Sequence, residues 1–144
     1  MSITGRHDVT DMTESGRKIL AAQPFSVLMG TELTRLATGS AELQLPLRGD
    51  HRQQHGFAHG GVVAYLADNA LTYAGGSVLG DVVTLEMKIN YVRPAVGDRL
   101  IARAEAVSAG KTQAVCRCDV FAVGDGEEKL CAAAQGTITR ARGA

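Results

Sequence analysis

The sequence predicts an α+β domain in which one antiparallel β-sheet of about five to six strands wraps a single long helix. A mostly apolar stretch without proline, from His55 to Gly76, is long enough for a buried helix of about four turns. Two short segments of alternating polarity precede it, and four longer segments follow it. An apolar fraction of 45% and balanced charge fit one globular domain over residues 1–144.

The N-terminal part of the chain is predicted to be an extension of this domain, residues 1–24, that carries one short helix. Residues 1–10 are polar, and we expect them to be loose. The helix is predicted over Asp11–Ala22 with Thr13 as its N-cap, and Gln23–Pro24 ends it.

A β-hairpin is predicted next. Thr31–Ala37 and Ala41–Leu47 each alternate polar and apolar residues, and Gly39–Ser40 separates them. Pro46 indicates that the second strand ends or lies at a sheet edge. Gly49–Ala58 is polar, glycine-rich and without periodicity, which predicts a loop leading into the long helix.

Four strands are predicted after the long helix, and short turns suggest that they form an antiparallel meander. They cover Val82–Val92, Arg99–Ala109, Thr112–Val123 and Lys129–Thr139. An open sheet of this kind leaves an unpaired edge, which a second copy of the chain can cover. We therefore expect a homodimer at least, and a dimer of dimers as the larger assembly.

The long helix has two distinct faces. Its apolar stripe, which a sheet would cover, consists of Val63, Leu66, Ala67, Ala70 and Ala74. Gly61, Tyr65, Asp68 and Thr72 fall along the opposite line. Asp68 is the only charged residue of the stretch, so its carboxylate is either paired or used in chemistry.

Composition excludes several classes of function. The net charge is zero and no Lys/Arg cluster is interleaved with aromatic residues, which disfavours nucleic-acid binding. The N-terminus has no apolar run, so we expect neither a signal peptide nor membrane association, and we expect a cytoplasmic protein. Cys116, Cys118 and Cys131 are interpreted as buried thiols, and no metal site is assigned.

The start of the long helix offers backbone donors for an oxyanion. Amides at Gly60 and Gly61 are unshielded by side chains, and the helix dipole adds positive charge there. Alternatively, the glycines only allow the loop to turn. Asp68 lies eight residues beyond Gly60, about 12 Å along the axis, whereas an attacking atom must approach within about 3 Å of the carbonyl carbon. Asp68 of a second, antiparallel copy would meet this requirement.

Neighbouring polar residues have two interpretations each. Gln53 or Gln54 either donates to an acyl oxygen or is an ordinary loop residue. His59 either positions the substrate carbonyl or supports the glycine turn. Thr72, one turn after Asp68, either holds water or the carboxylate, or packs at an interface.

At these residues the sequence resembles the hotdog-fold acyl-CoA thioesterases of the phenylacetate-degradation (PaaI-like) group. The resemblance covers about Phe25 to Thr139. It lies in the spacing Q-x-x-G-x-x-H-G-G from Gln53 to Gly61, in Leu66-Ala67-Asp68, in VTLEMKINYVRPAVGDRL from Val83, and in the turn Ala109–Thr112.

The resemblance implies two subunits joined into one continuous sheet, with active sites at the dimer interface. It implies that Asp68 acts as nucleophile or as base for water, that the Gly60 amide polarises the thioester carbonyl, and that either Thr84 or Thr72 holds the attacking water. Gln53 stands where many relatives carry asparagine. Gly61 belongs to the implied substrate-binding set.

The implied activity is hydrolysis of an aryl- or short- to medium-chain acyl-CoA to the free acid and CoA, without a cofactor. Coenzyme A phosphates need cations, for which Arg93 and Lys111 are the candidates, with Arg52 and Lys88 as further ones.

Three alternatives remain open from the sequence. A non-catalytic acyl-CoA binding module would share the fold. A hydratase or dehydratase would need a paired acid and base, and the spacing of His59 and Asp68 does not match the short Asp-to-His spacing expected there. Purely structural dimerisation would leave Asp68 and the glycine turn unexplained.

Overall fold

The computed structural model describes residues 10–142, which form three α-helices and one six-stranded sheet. The helices are α1 (Thr13–Ala21), α2 (Pro24–Met29) and α3 (Gly60–Leu79). The strands are β1 (Glu32–Ala37), β2 (Ser40–Pro46), β3 (Val82–Tyr91), β4 (Arg99–Ala109), β5 (Gln113–Gly124) and β6 (Glu127–Arg140). No helix within the described range has the length and apolar character needed to cross a bilayer.

Helix α3 lies against the sheet and touches every strand. All five residues of the predicted apolar stripe are buried, with exposures between 0% and 2%. Leu43 and Leu45 of β2 and Ile138 of β6 meet this face as fully buried side chains. The predicted α+β architecture, a long helix packed in an antiparallel sheet, is confirmed.

The strand order corrects the predicted four-strand meander. The order is β1-β2-β4-β5-β6-β3, so β3 pairs with β6 at the sheet edge rather than with β4. The reason lies in the connection after β3, which contains Pro94 and the buried Ala95. The Ala95 carbonyl accepts a hydrogen bond from the Ala58 amide at 3.0 Å, so this segment crosses beside the start of α3 instead of turning back.

The prediction for α1 was wrong in its N-cap. Thr13 is the first helical residue, and Met12 occupies the N-cap position. The Asp11 carboxylate accepts the Thr13 amide at 3.0 Å, whereas the Thr13 hydroxyl bonds to the backbone of Leu36. The short acidic side chain two residues upstream thus satisfies the first free amide. Residues 1–9, expected to be loose, lie outside the described residues.

Helix α2 was missed because Pro24 was interpreted only as a terminator. Proline is favoured at the first helical position, where its missing N–H costs nothing, and Pro24 starts α2. The helix ends at Gly30, which has a left-handed φ of 80°. The dipeptide Gln23–Pro24 therefore follows the end of α1 and also begins α2.

The regular alternation predicted for Thr31–Ala37 is interrupted. A β-bulge between Leu33 and Arg35 shifts the register, so Leu33 and Leu36 are both buried.

The prediction of buried thiols is confirmed, since Cys116, Cys118 and Cys131 are all buried and free. Burial raises the pKa of Cys116 to about 11.

Candidate active site

The start of α3 presents one free backbone donor. His59 is the N-cap, and its Nδ1 accepts the Gly61 amide at 2.9 Å. The His59 amide donates to the His51 carbonyl at 2.8 Å. The Gly60 amide has no acceptor within residues 10–142. The two glycine amides therefore differ: that of Gly61 is taken by the cap, and that of Gly60 is available to a ligand.

The cap also fixes the histidine tautomer. Because Nδ1 of His59 accepts a hydrogen bond, a neutral ring carries its proton on Nε2. His59 is exposed, so this Nε2 donor is accessible from outside the fold. The geometry matches the interpretation of His59 as a support for the glycine turn.

Gln53 is held in a tight turn before the helix. Its amide donates to the Phe57 carbonyl at 2.9 Å, and Gly56 closes the turn with a φ of 85°, which favours glycine. The side-chain oxygen of Gln53 accepts the His55 amide. This leaves the Gln53 side-chain nitrogen as a donor with no acceptor among the residues described.

Gln53 and Gly60 line the same groove, whose volume is about 520 Å³. Most of its remaining lining is apolar or aromatic, and it comprises Phe57, Ala58, Val63, Tyr91, Val92, Arg93, Pro94, Ala95 and Cys131. Two residues with free N–H donors, Gln53 and Gly60, thus line a largely apolar groove. Such a site suits a carbonyl oxygen carried by an apolar substituent.

Asp68 is bound by Thr84 rather than by Thr72. The Thr84 hydroxyl donates to Asp68 Oδ1 at 2.6 Å. The Thr72 hydroxyl donates to the backbone carbonyls of Asp68, at 2.6 Å, and Asn69, at 3.1 Å. In the part of the chain that the structure describes, Asp68 Oδ2 receives no hydrogen bond. Of the two threonines that the sequence left open, only Thr84 contacts the carboxylate.

One chain does not bring the Gly60 amide and the Asp68 carboxylate together. Asp68 is absent from the lining of the groove that holds Gln53 and Gly60. Gly60 and Asp68 both lie on α3, and the eight-residue rise of the helix separates them by about 12 Å. The free Gly60 amide and the Asp68 carboxylate therefore lie well apart within one chain.

The candidate cations occupy different places. Arg93 lines the groove just past the end of β3, whereas Lys111 lies in the turn between β4 and β5, beside the end of β6 and at the end of the sheet where β3 begins. The Arg52 guanidinium donates to the carbonyls of Gly56 and Gly97 at 3.0 and 3.1 Å, so it braces the loop. Lys88 is exposed on β3.

Sequence reasoning missed Tyr91 and His51. The Tyr91 hydroxyl donates to the Gly60 carbonyl at 3.0 Å. His51 is 2% exposed, its carbonyl accepts the His59 amide, and its Nδ1 accepts the Arg48 amide at 3.0 Å. A strand pattern does not show which helix residue a tyrosine meets. A polar loop without periodicity gives no sign that one of its histidines is buried.

We expect His51 to make stability depend on pH. Burial, together with the nearby Arg48 guanidinium, lowers the pKa of His51 below its ordinary value. The folded protein therefore keeps the ring neutral where the unfolded chain takes up a proton. This contribution to the free energy of unfolding is complete above the ordinary pKa of about 6.5 and is lost as the pH falls toward the lowered pKa.

The measurement is denaturant unfolding of wild type and His51→Asn between about pH 7.5 and pH 5. Asparagine keeps an acceptor for the Arg48 amide but does not titrate, so the wild type should lose more stability on acidification than the variant. His55→Asn, at an exposed histidine of the same loop, is the matched control. Equal acid sensitivity of wild type and His51→Asn would contradict this expectation.

Within residues 10–142, no three histidine, cysteine or acidic side chains form a group that could hold a metal ion. The free donors described above are backbone and side-chain N–H groups.

Comparisons with known proteins give consistent matches. The family model described as the thioesterase superfamily matches residues 55–129. Acyl-coenzyme A thioesterase 13 of Homo sapiens is 30% identical over 122 residues, covering 78% of this chain and 86% of the relative. A thioesterase family protein from Silicibacter pomeroyi superposes with a TM-score of 0.83 at 36% identity, covering 85% of this chain and 93% of that one. A mutant of phenylacetic acid degradation protein PaaI from Thermus thermophilus superposes with a TM-score of 0.73 at 36% identity, covering 83% and 100%.

Proposed function

The chain belongs to the thioesterase superfamily and is a thioester hydrolase of the acyl-CoA thioesterase class, and from this premise we propose how its site is assembled and what it cleaves. The proposed substrates are aryl- or short- to medium-chain acyl-CoAs. The proposed site lies between two subunits, with Gly60 contributed by one and Asp68 by the other.

The observation that carries this proposal is the separation of the free Gly60 amide from the Asp68 carboxylate on α3. The free Gly60 amide suits the oxygen of a thioester carbonyl, and the Asp68 carboxylate suits attack on its carbon. About 12 Å of helix lies between them in one chain, whereas attack needs about 3 Å. An antiparallel second copy removes this separation.

The exposed edge of β3 supports such a pairing. β3 is the last strand of the sheet, and Val83, Leu85 and Tyr91 on it are 52%, 58% and 55% exposed. An unpaired strand edge with exposed apolar side chains favours pairing with another strand. A copy of β3 running in the opposite direction would extend the sheet and keep two-fold symmetry.

Contacts within the subunit suggest the register of that pairing. Thr84, near the beginning of β3, contacts Asp68, and Tyr91, at its end, contacts Gly60. If Thr84 of one subunit lies opposite Tyr91 of the other, the partner subunit's Asp68 approaches Gly60. The two-fold axis then passes between Met87 and Lys88.

The proposed reaction consumes one water. The carbonyl oxygen accepts hydrogen bonds from the Gly60 amide and the Gln53 side chain while negative charge develops on it. The partner subunit's Asp68, oriented by Thr84, promotes attack on the carbonyl carbon either by adding its own oxygen or by taking a proton from water. The carbon–sulfur bond breaks and the CoA sulfur takes a proton. If water attacked, the acyl group leaves directly as the acid; if the partner subunit's Asp68 attacked, the one water then hydrolyses the acyl–aspartyl anhydride, which releases the acid and restores the carboxylate.

The groove supports the substrate class. Its apolar lining includes Phe57, Val63 and Val92, and its volume of about 520 Å³ fits a small acyl or pantetheine segment. Arg93 stands at this groove, and among the described residues its guanidinium makes no ion pair. In the proposed register the partner subunit's Lys111 lies at the same end of the joined sheet as Arg93, so the two cations would serve the CoA phosphates together.

The test is thiol release from a panel of aryl-, short-, medium- and long-chain acyl-CoAs, compared between wild type and Asp68→Asn. The proposal requires release from the aryl or shorter acyl members and its loss in the variant. Fast release from long-chain members alone would overturn the substrate class. Hydration of an unsaturated acyl-CoA without thiol release would favour the hydratase alternative, which the His59–Asp68 separation along α3 already disfavours.

A further inference from the structure

Tyr91 connects the sheet edge to the first turn of α3. Its hydroxyl donates to the Gly60 carbonyl at 3.0 Å. Its ring lies beside the glycine, since a Cβ placed on Gly60 would stand 3.6 Å from ring atoms Cε1 and Cζ. The Tyr91 hydroxyl therefore binds the Gly60 carbonyl, and the Tyr91 ring lies against one side of Gly60.

The position of Tyr91 is itself fixed. Tyr91 is the last residue of β3 and pairs with Ala132 of β6. The next amide, that of Val92, donates to the Cys131 carbonyl at 2.9 Å. Tyr91 thus anchors Gly60 to a strand that is held on its other side by the sheet ladder.

A second anchor acts on the opposite side of Gly60. The His59 amide donates to the His51 carbonyl at 2.8 Å, which fixes the Ala58–His59 peptide group, one residue before the peptide that carries the Gly60 N–H. Glycine has the freest backbone of all residues, so without such anchors the direction of its amide would vary. The backbone is therefore held from outside the helix on both sides of the Gly60 amide, at the His59 N–H and at the Gly60 carbonyl.

We propose that Tyr91 is a positioning residue for thioester hydrolysis, which aims the Gly60 amide by holding the Gly60 carbonyl and by packing against the glycine. This inference rests on the proposed function, in which that amide binds the carbonyl oxygen. An oxyanion donor contributes most when its direction is fixed before the reaction, so a loosened amide should weaken the transition state more than substrate binding.

The first variant is Tyr91→Phe, which keeps the ring and removes the hydroxyl. We expect kcat to fall about tenfold with KM changed less than about twofold, because one neutral hydrogen bond is lost and the groove keeps its shape. Tyr73→Phe is the matched control, since the Tyr73 hydroxyl also donates to a backbone carbonyl, that of Gly16 at 2.9 Å, away from the groove. Its kcat should stay at the wild-type value.

A double-mutant cycle tests whether Tyr91 acts through the amide. Gly60→Pro removes the amide, so adding Tyr91→Phe to it should lower kcat no further. A similar tenfold loss in both backgrounds would overturn the proposal, as would a normal kcat in Tyr91→Phe or an effect confined to KM. These outcomes presuppose an active wild type, and absence of thiol release from wild type would instead refute the proposed function.

Discussion

Asp68→Asn is expected to lower kcat for thiol release about a thousandfold while the fold is kept. The asparagine side chain retains an oxygen that accepts the Thr84 hydroxyl, so the 2.6 Å contact seen at Oδ1 survives the change. What is lost is the negative charge, and with it the capacity to attack the carbonyl or to take a proton from water. Asp68→Asn therefore removes the negative charge of the side chain while it keeps the side-chain shape.

The control for this variant is Asp81→Asn, at an exposed acid in the turn between α3 and β3. It changes the net charge equally and should leave kcat within about twofold of wild type, as expected for a surface substitution. Thermal unfolding of both variants checks that the fold is intact. Near-normal turnover in Asp68→Asn would remove Asp68 from the mechanism.

Gly60→Pro is expected to lower kcat by about a hundred- to a thousandfold, the cost of losing one oxyanion donor. Proline is compatible with this site, because Gly60 is the first residue of α3, where proline is favoured. The preceding His59 has φ −60° and ψ 136°, an extended conformation that a following proline prefers. The substitution removes the free N–H with little cost to the helix.

Gly60→Ala is the matched control for the proline variant. It keeps the N–H, and its Cβ would lie 3.6 Å from the Tyr91 ring, an ordinary contact distance. We expect at least about a tenth of wild-type kcat in the alanine variant, against the much larger loss in the proline variant. Thiol release at saturating substrate measures both, and equal activity of the two variants would show that the amide is not the donor.

The central helix was predictable because its evidence is local. Length, flanking glycines and a 3.6-residue period identify α3, and the same period places Asp68 opposite the buried stripe that begins at Val63. His59 and Gly60 follow directly, because an N-cap and the first turn are features of neighbouring residues.

Contacts between distant elements were not predictable in this way. Whether Thr72 or Thr84 binds the Asp68 carboxylate depends on where β3 lies beside α3, and the strand order shows that it pairs with β6. Alternating polarity identifies a strand and leaves its neighbours open. The hydrogen bond from Tyr91 to Gly60 depends on the same placement, so no local pattern could reveal it.

The most direct test of the shared site uses dimers assembled from two differently tagged subunits, one carrying Asp68→Asn and the other Gly60→Pro. Each variant alone should keep at most about a hundredth of the wild-type activity. The mixed dimer keeps one intact pair, Gly60 from the first subunit and Asp68 from the second, and should recover about half of the wild-type activity. A dimer of wild type with a subunit carrying both substitutions has no intact pair and should be inactive. Recovery in that second dimer, with none in the first, would show instead that each subunit holds a complete site.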